Sequence, residues 1–417
     1  MTRHTLLATT LLLLLPFSLL AQPLPRGDAS SAGIQAEALQ TAAEELKSEV
    51  KEKKIAGGMH MVLRHGKVVH FAIEGVADIE DNRPLKADAI LRIYSMSKPI
   101  TSVAAMKLWE EGKFKLDDPV AKYIPAFKQC QVLVMEDDTH KLVAPERPII
   151  VRDLFRHTAG YTYGTGMPEA FGKHYQKEQM LYTDRGMFPP MMTIAEAADR
   201  LARIPLLHQP GASFTYGLNV DLLGRLIEIW SEIPLDDYLQ KAVFEPLGMI
   251  DTGFSVPADK ADRFVSCHGS KDGKLIVVDK AEQSPYLQKP AFLSGGGGLV
   301  STMEDYARFC QALVNLGELD GRRVLAESTL RKMYTNQLSP ASSDSFRFGL
   351  GFAIQDISLG REDSERTAIA YRWGGYANTA FQVVPSEGMA QVFMRQLVPS
   401  NHRVARKLFP IVYQGTE

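Results

Sequence analysis

Ile93-Tyr94-Ser95-Met96-Ser97-Lys98-Pro99-Ile100 sets a serine and a lysine three residues apart where a helical pattern begins. Residues i and i+3 share one face of a helix, so Ser95 and Lys98 point the same way. Proline is tolerated only in the first turn, which places the helix start at about Ser95 or Met96. Ile100, Val103, Ala104 and Leu108 continue as an apolar stripe at helical spacing. The hydroxyl of Ser95 therefore sits at a helix N-terminus, where backbone N–H groups and the helix dipole favour negative charge. Serine is a weak nucleophile without a base, and the amine of Lys98 stands beside it.

The surrounding composition is that of an ordinary globular chain. It has 417 residues, 45% of them hydrophobic and 23% charged, which suits two domains. A formal net charge of -2 gives no reason to expect nucleic acid or an anionic membrane as partner. Cys130, Cys267 and Cys310 form neither a disulfide framework nor a zinc pattern, and Cys310 falls on the apolar face of a helix. Arg3 and His4 precede an apolar run, Leu6 to Leu20, that ends at Ala21. Interrupted by Pro16 and short for a membrane span, it reads as a signal peptide over residues 1–21. That predicts export, to periplasm or medium, with no stable membrane insertion after cleavage.

Residues 22–33 read as a loose Pro/Ser/Ala/Gly-rich leader. A helix follows from Ile34 to about Lys54, then a hairpin over residues 59–72 turning at His65-Gly66. His60 and His70 match no metal spacing and read as structural. His157 is read in the same way, near the end of a short helix closed by Gly160. Residues 161–190, rich in Gly, Tyr, Met and Pro, read as a long functional loop. Thr193 and Glu196 form a capping box, and Ser301 and Glu304 a second. Tyr216 lies in a turn just before a helix carrying Leu222, Leu223, Leu226, Ile227 and Trp230, which presents its phenol to a cleft. Ser294-Gly295-Gly296-Gly297-Gly298 lacks the Gly-Lys-Ser/Thr of a phosphate loop and serves close backbone approach instead. Strand candidates Gly349–Gln355, Arg366–Trp373, Thr379–Val384 and Met389–Arg395 precede a final helix from about His402 to Tyr413. Strands from both ends of the chain can then form one antiparallel sheet flanked by the terminal helices. This is an α+β fold with a sheet domain from residues 34–112 and 291–417 and an inserted helix-rich domain from 113–290.

The order of these motifs resembles the class C β-lactamase / penicillin-binding protein superfamily, and within it the family VIII carboxylesterases. The resemblance spans about residues 35 to 415. Ser95 and Lys98 match the Ser-x-x-Lys motif. Tyr216-Gly217-Leu218 matches Tyr-x-Asn with leucine in place of asparagine, and Asn219, one residue late, should point elsewhere. Trp373-Gly374-Gly375 matches the Lys-Thr-Gly of the edge strand, without its cation or hydroxyl. His157–Gly160 and Ser294–Gly298 match scaffold landmarks.

The resemblance implies a serine β-lactamase-like fold and a serine hydrolase acting through an acyl-enzyme on Ser95. Lys98 and Tyr216 would share the proton, with the base left open between them because the two titrate as a pair. Backbone N–H groups of Ser95 and Tyr376 would form the oxyanion hole. Trp373, Gly374, Gly375 and Leu218 would contact the substrate, a small-molecule ester. Without the cation and the amide, the site should favour short-chain carboxylic esters over peptides, with weak β-lactam hydrolysis alongside. No metal or cofactor is implied. The rivals are a β-lactamase or D-alanyl-D-alanine carboxypeptidase, an acyltransferase on the same scaffold, and a silent exported binding protein. With no G-x-S-x-G and no HExxH, a Ser-His-Asp hydrolase or a zinc protease lacks support.

Overall fold

The computed structural model describes residues 22–417 apart from 137–138, 166, 184–185, 188–191, 341, 344–345 and 361–363. The predicted signal segment, residues 1–21, lies outside the described residues. Helix α1 (Ala36–Lys51) leads into β1 (Gly57–Arg64), β2 (Lys67–Asp78) and β3 (Arg83–Pro84). The C-terminal part supplies β4 (Arg347–Phe348), β5 (Ala353–Ser358), β6 (Thr367–Gly374), β7 (Ala380–Val384) and β8 (Met389–Met394). These form one antiparallel sheet in the order β4-β5-β6-β7-β8-β1-β2-β3. The two ends of the chain meet where β1 pairs with β8, Met59 opposite Met394 and Arg64 opposite Met389. The β1–β2 connection is two residues, His65 and Gly66, both at positive φ (50° and 79°), which matches the twist of the flanking strands.

β1 is buried along its whole length, so it reads as a nearly continuous apolar run rather than an alternating one. Its side chains still alternate between two cores. Val62 and Phe393 face α1 and α7 (Arg403–Gln414), meeting Leu46, Val404, Leu408 and Val412. Met59, Met61 and Leu63 face the other way, into the larger core with α2 (Ser97–Glu110) and α6 (Met303–Val314). His60 is buried on the α7 side, stacked on Phe409 and bonded to Gln391, which confirms a structural imidazole. All three cysteines are buried and free.

Helix α2 starts where the proline requires, after a 3-10 turn over Tyr94–Met96. It is buried on nearly every side, from Ser97 through Ala105, and so forms the central post of the molecule. The inserted stretch contributes α3 (Val151–Phe155), α4 (Ile194–Leu201) and α5 (Asn219–Ser231), with α5 packed on α2. The same stretch carries hairpins Val132–Glu136/Thr139–Val143 and Cys267–Lys271/Lys274–Asp279. Its end returns to the sheet domain: buried Arg92 donates to the Val265 carbonyl at 2.6 Å, and His268 N–H to the Gln396 carbonyl.

Three local expectations need correction. The leader is not loose. Leu24 is buried, its N–H donates to Glu304 at 2.7 Å, Gly27 N–H donates to the Val68 carbonyl on β2, and Val68 N–H donates to the Pro25 carbonyl. Leu24, Pro25 and Gly27 supply the contacts that hold it. The cap of α6 is Thr302 rather than Ser301: its hydroxyl accepts from Asp305 N–H, while Ser301 lies in a short strand and bonds Thr252. The Thr193–Glu196 box forms in full. The stretch 161–190 is not all loop: it contains a helix, Glu169–Lys177. Among the described residues no helix is long and apolar enough to cross a membrane.

Candidate active site

Ser95 is held in the 3-10 turn by tight backbone geometry. Tyr94 adopts φ of 43°, a conformation uncommon for a bulky residue. Ser97 Oγ locks the turn by donating to the Tyr94 carbonyl at 2.6 Å while accepting from Leu299 N–H at 3.2 Å. One turn on, Lys98 is 1% exposed, and its ammonium has three acceptors. They are Ser95 Oγ at 3.2 Å, Tyr163 Oη at 2.9 Å and the Gly296 carbonyl at 2.5 Å. Three N–H donors thus meet three oxygens, the full capacity of an ammonium. Tyr216 closes the group from the turn before α5, with Lys98 Nζ 4.7 Å from its ring centroid.

The third element is the end of β6. Gly375 lies against the serine turn so closely that a Cβ there would stand 2.3 Å from the Ile93 carbonyl oxygen, which only glycine avoids. Thr379 Oγ1 donates to that same carbonyl at 3.4 Å, and the exposed ring of Tyr376 meets Tyr94 edge-on at 5.8 Å. The backbone at Gly375 therefore lies against the turn that carries Ser95.

Trp373 points into a wall of rings. Its centroid is 5.3 Å from Tyr216 and 5.2 Å from Phe348, and Phe214 and Phe346 pack behind them. Its indole N–H is buried with no partner among the described residues. His157 completes the wall, 4.9 Å from the Tyr216 ring. Its Nδ1 faces Asn219 Nδ2 at 3.1 Å, which makes Nδ1 an acceptor and the imidazole neutral. Burial, and secondarily the charge of Lys98, push His157 well below its ordinary range. It is a packing residue rather than a base, but not by the route expected: it occupies the left-handed position itself, at φ 57°.

Ser95, Lys98, Tyr216, Trp373, Gly374, Gly375 and Tyr376 lie together in the structure. Leu218 does not. It is 1% exposed and packs inside the lobe beside Ile194, Leu222 and Phe292, because the first turn of α5 rotates it inward. Asn219 does point elsewhere, tying His157 to the carbonyls of Tyr161 and Thr215. Tyr163, which bonds Lys98, carries no signal of its own in the sequence. Tyr163 lay in the loop flagged for its composition, and nothing in its spacing singled it out from Tyr161 or Tyr175. Among the described residues no cluster of His, Cys, Asp and Glu could hold a metal.

Comparison with known proteins places the architecture. The family profile Beta-lactamase matches residues 41–412. The chain belongs to this family. It is 31% identical over 361 residues to Protein Rv1367c of Mycobacterium tuberculosis, covering 83% of this chain and 86% of that protein. It is 28% identical over 278 residues to Esterase EstB of Burkholderia gladioli, covering 63% of this chain and 67% of EstB. Among solved structures it resembles EstCE1, "a hydrolase with promiscuous acyltransferase activity", with a TM-score of 0.75 and 24% identity, covering 90% of this chain and 99% of that one. The β-lactamase-like fold predicted for the chain is thereby established, and with it a serine-hydrolase scaffold.

Proposed function

We propose that this member of the beta-lactamase family is a carboxylesterase that cleaves short-chain esters of small molecules through an acyl-enzyme on Ser95. The observation that carries the reading is Ser95 Oγ within hydrogen-bond reach of a buried lysine, beneath a wall where Trp373 stands in place of a cation. An anionic substrate finds no charge partner at that position, whereas an uncharged acyl group finds apolar rings. The likeness to EstB supports the same reading.

Ser95 Oγ attacks the ester carbonyl and loses its proton to the Lys98–Tyr216 pair. With Lys98 bonded to Ser95, Tyr163 and Gly296, we take the phenol oxygen of Tyr216 as the acceptor. The step uses Tyr216 as the phenolate, with Lys98 Nζ 4.7 Å from its ring centroid. The tetrahedral oxyanion sits between the N–H groups of Ser95 and Tyr376, each such donor being worth about 3 kcal/mol in the transition state. Collapse expels the alcohol, which takes the proton from Tyr216. Water then attacks the acyl-enzyme by the same route in reverse. An alcohol in place of water would give acyl transfer, a second reading favoured by the likeness to EstCE1, itself a hydrolase with acyltransferase activity.

The test is a comparison of specificity constants for p-nitrophenyl butyrate and a chromogenic cephalosporin, with Ser95→Ala as control. Ester turnover well above cephalosporin turnover, abolished in the variant, is the expected result. The opposite ranking would restore the β-lactamase reading, and ester turnover retained in Ser95→Ala would remove Ser95 from the chemistry.

A further inference from the structure

Asp221 lies on α5 five residues beyond Tyr216, 4% exposed, and no motif marks it. Its Oδ1 accepts from Ser294 Oγ and, at 3.1 Å, from Gly296 N–H. Its Oδ2 is buried with no hydrogen-bond partner among the described residues. That oxygen lies against Gly296 so closely that a Cβ there would be 2.3 Å away. Glycine at 296 therefore lets the backbone reach this carboxyl. The other side of the same residue faces the lysine: the Gly296 carbonyl accepts from Lys98 Nζ, and the Gly295 carbonyl accepts from Thr101 Oγ1 at 2.8 Å on α2. A single residue, Gly296, thus holds Asp221 through its N–H and Lys98 through its carbonyl.

We propose that Asp221 is a positioning residue for acyl transfer: it clamps the Ser294–Gly296 loop onto Lys98 and sets a buried carboxylate behind the lysine. The inference rests on the Ser95–Lys98–Tyr216 reading and deepens it. A buried ammonium needs a compensating charge as well as acceptors. The groups facing Lys98 are Ser95 from its own turn, Tyr163 from the segment after α3, Tyr216 from the turn before α5, neutral His157 behind them, and Asp221 beneath Gly296. Of these, Asp221 is the carboxyl. Burial pushes it above the ordinary carboxylate range, and the charge of Lys98 is the first influence pulling it back.

The experiment follows phosphonylation of Ser95 by a fluorophosphonate, read by intact mass, as a function of pH. It needs no knowledge of the natural ester. Labelling of the wild type, absent in Ser95→Ala, establishes the nucleophile independently of Asp221; no labelling of the wild type would overturn the site itself. Asp221→Asn keeps an oxygen for Ser294 and Gly296 and removes the charge. We expect a labelling rate at least tenfold lower and an alkaline limb moved down by about one pH unit, since an opposite charge at close range shifts an ionisation by about that much or more. A slower rate with the limb unmoved would leave Asp221 a purely structural carboxyl and overturn the proposal, as would an unchanged rate. Should Asp221→Asn fail to fold, Ser294→Ala decides. It leaves the charge but loosens the clamp, so the rate should fall several-fold with the limb in place, and an unchanged rate there would also overturn the proposal.

Discussion

Replacing Asp153 by alanine should cost this protein about 3 kcal/mol of stability while leaving Ser95 chemistry intact in the molecules that stay folded. Asp153 is wholly buried at the start of α3 and accepts five hydrogen bonds. Arg147 supplies two at 2.7 and 2.9 Å, Arg156 Nη2 one at 2.9 Å, Thr158 Oγ1 one at 2.8 Å and Ile150 N–H one at 3.1 Å. Removing the acceptor from a buried ion pair typically costs about 3–5 kcal/mol, because the partner charge is left behind. The Arg147 side chain is 35% exposed and can recover water, whereas that of Arg156 is 15% exposed and cannot fully do so. The lower end of the range therefore applies. Burial alone would raise the Asp153 carboxyl, but the bonds from Arg147, Ile150 and Arg156 outweigh it and hold it below the ordinary range. Its folded value is depressed, so its contribution is complete above about pH 4 and is lost as pH falls further. Urea unfolding of wild type and Asp153→Ala at pH 7 and again at pH 3 is the assay. A difference near 3 kcal/mol that shrinks in acid is the expected result. A difference below about 1 kcal/mol at pH 7, or one that grows in acid, would refute the argument.

Tyr163→Phe removes the 2.9 Å acceptor of Lys98 and keeps the ring, so kcat/KM for an ester should drop roughly tenfold, since an unpaired buried donor costs about 1–3 kcal/mol; steady-state kinetics check it. Tyr216→Phe should cost at least about a hundredfold in kcat if the phenol is the proton acceptor, and a loss under tenfold would make it positional. Trp373→Lys restores a cation to the wall and should raise the ratio of cephalosporin to ester turnover, measured on the two chromogenic substrates. Burial, with His70 nearby, pushes His60 down to about 3, so the unfolded chain takes up a proton at pH 4–6 that the folded one refuses. Stability should accordingly fall as pH drops from about 6.5. His60→Gln should flatten that slope in denaturant titrations run from pH 7 to pH 4.

Most of the sheet was legible because its strands are separated by turns with strong chemistry, such as His65-Gly66 and Pro385–Gly388, and β1 announces its double burial by its apolar run. The nucleophile was legible because Pro99 pins a helix start beside it. What could not be read were contacts made at right angles to the chain. Leu218 and Asn219 sit side by side, and only the rotation of the first turn of α5 decides that one enters the lobe core and the other ties His157. Asp221 carries no local pattern; its meaning comes from a glycine 75 residues later that lets its carboxyl approach. Thr302 took the cap from Ser301 because pairing of Val300–Thr302 with Ile90–Arg92 carried the strand one residue further than the pattern suggested.

The pairing of β1 with β8 has a consequence for how the protein is made. Met59 leaves the ribosome long before Met394, its partner across the sheet. At about 5–20 residues per second, that interval is roughly 15–70 s, during which the β1 edge of the first hairpin has no strand to pair with. Helix α1 can cover one side early, but its companion α7 arrives last of all. The nascent chain thus has no complete core until synthesis is nearly over, and its active site, spanning α2, α5 and β6, assembles only with the final third. Slow, late, all-at-once closure of this kind makes the β1–β2 hairpin the segment a chaperone would have to guard.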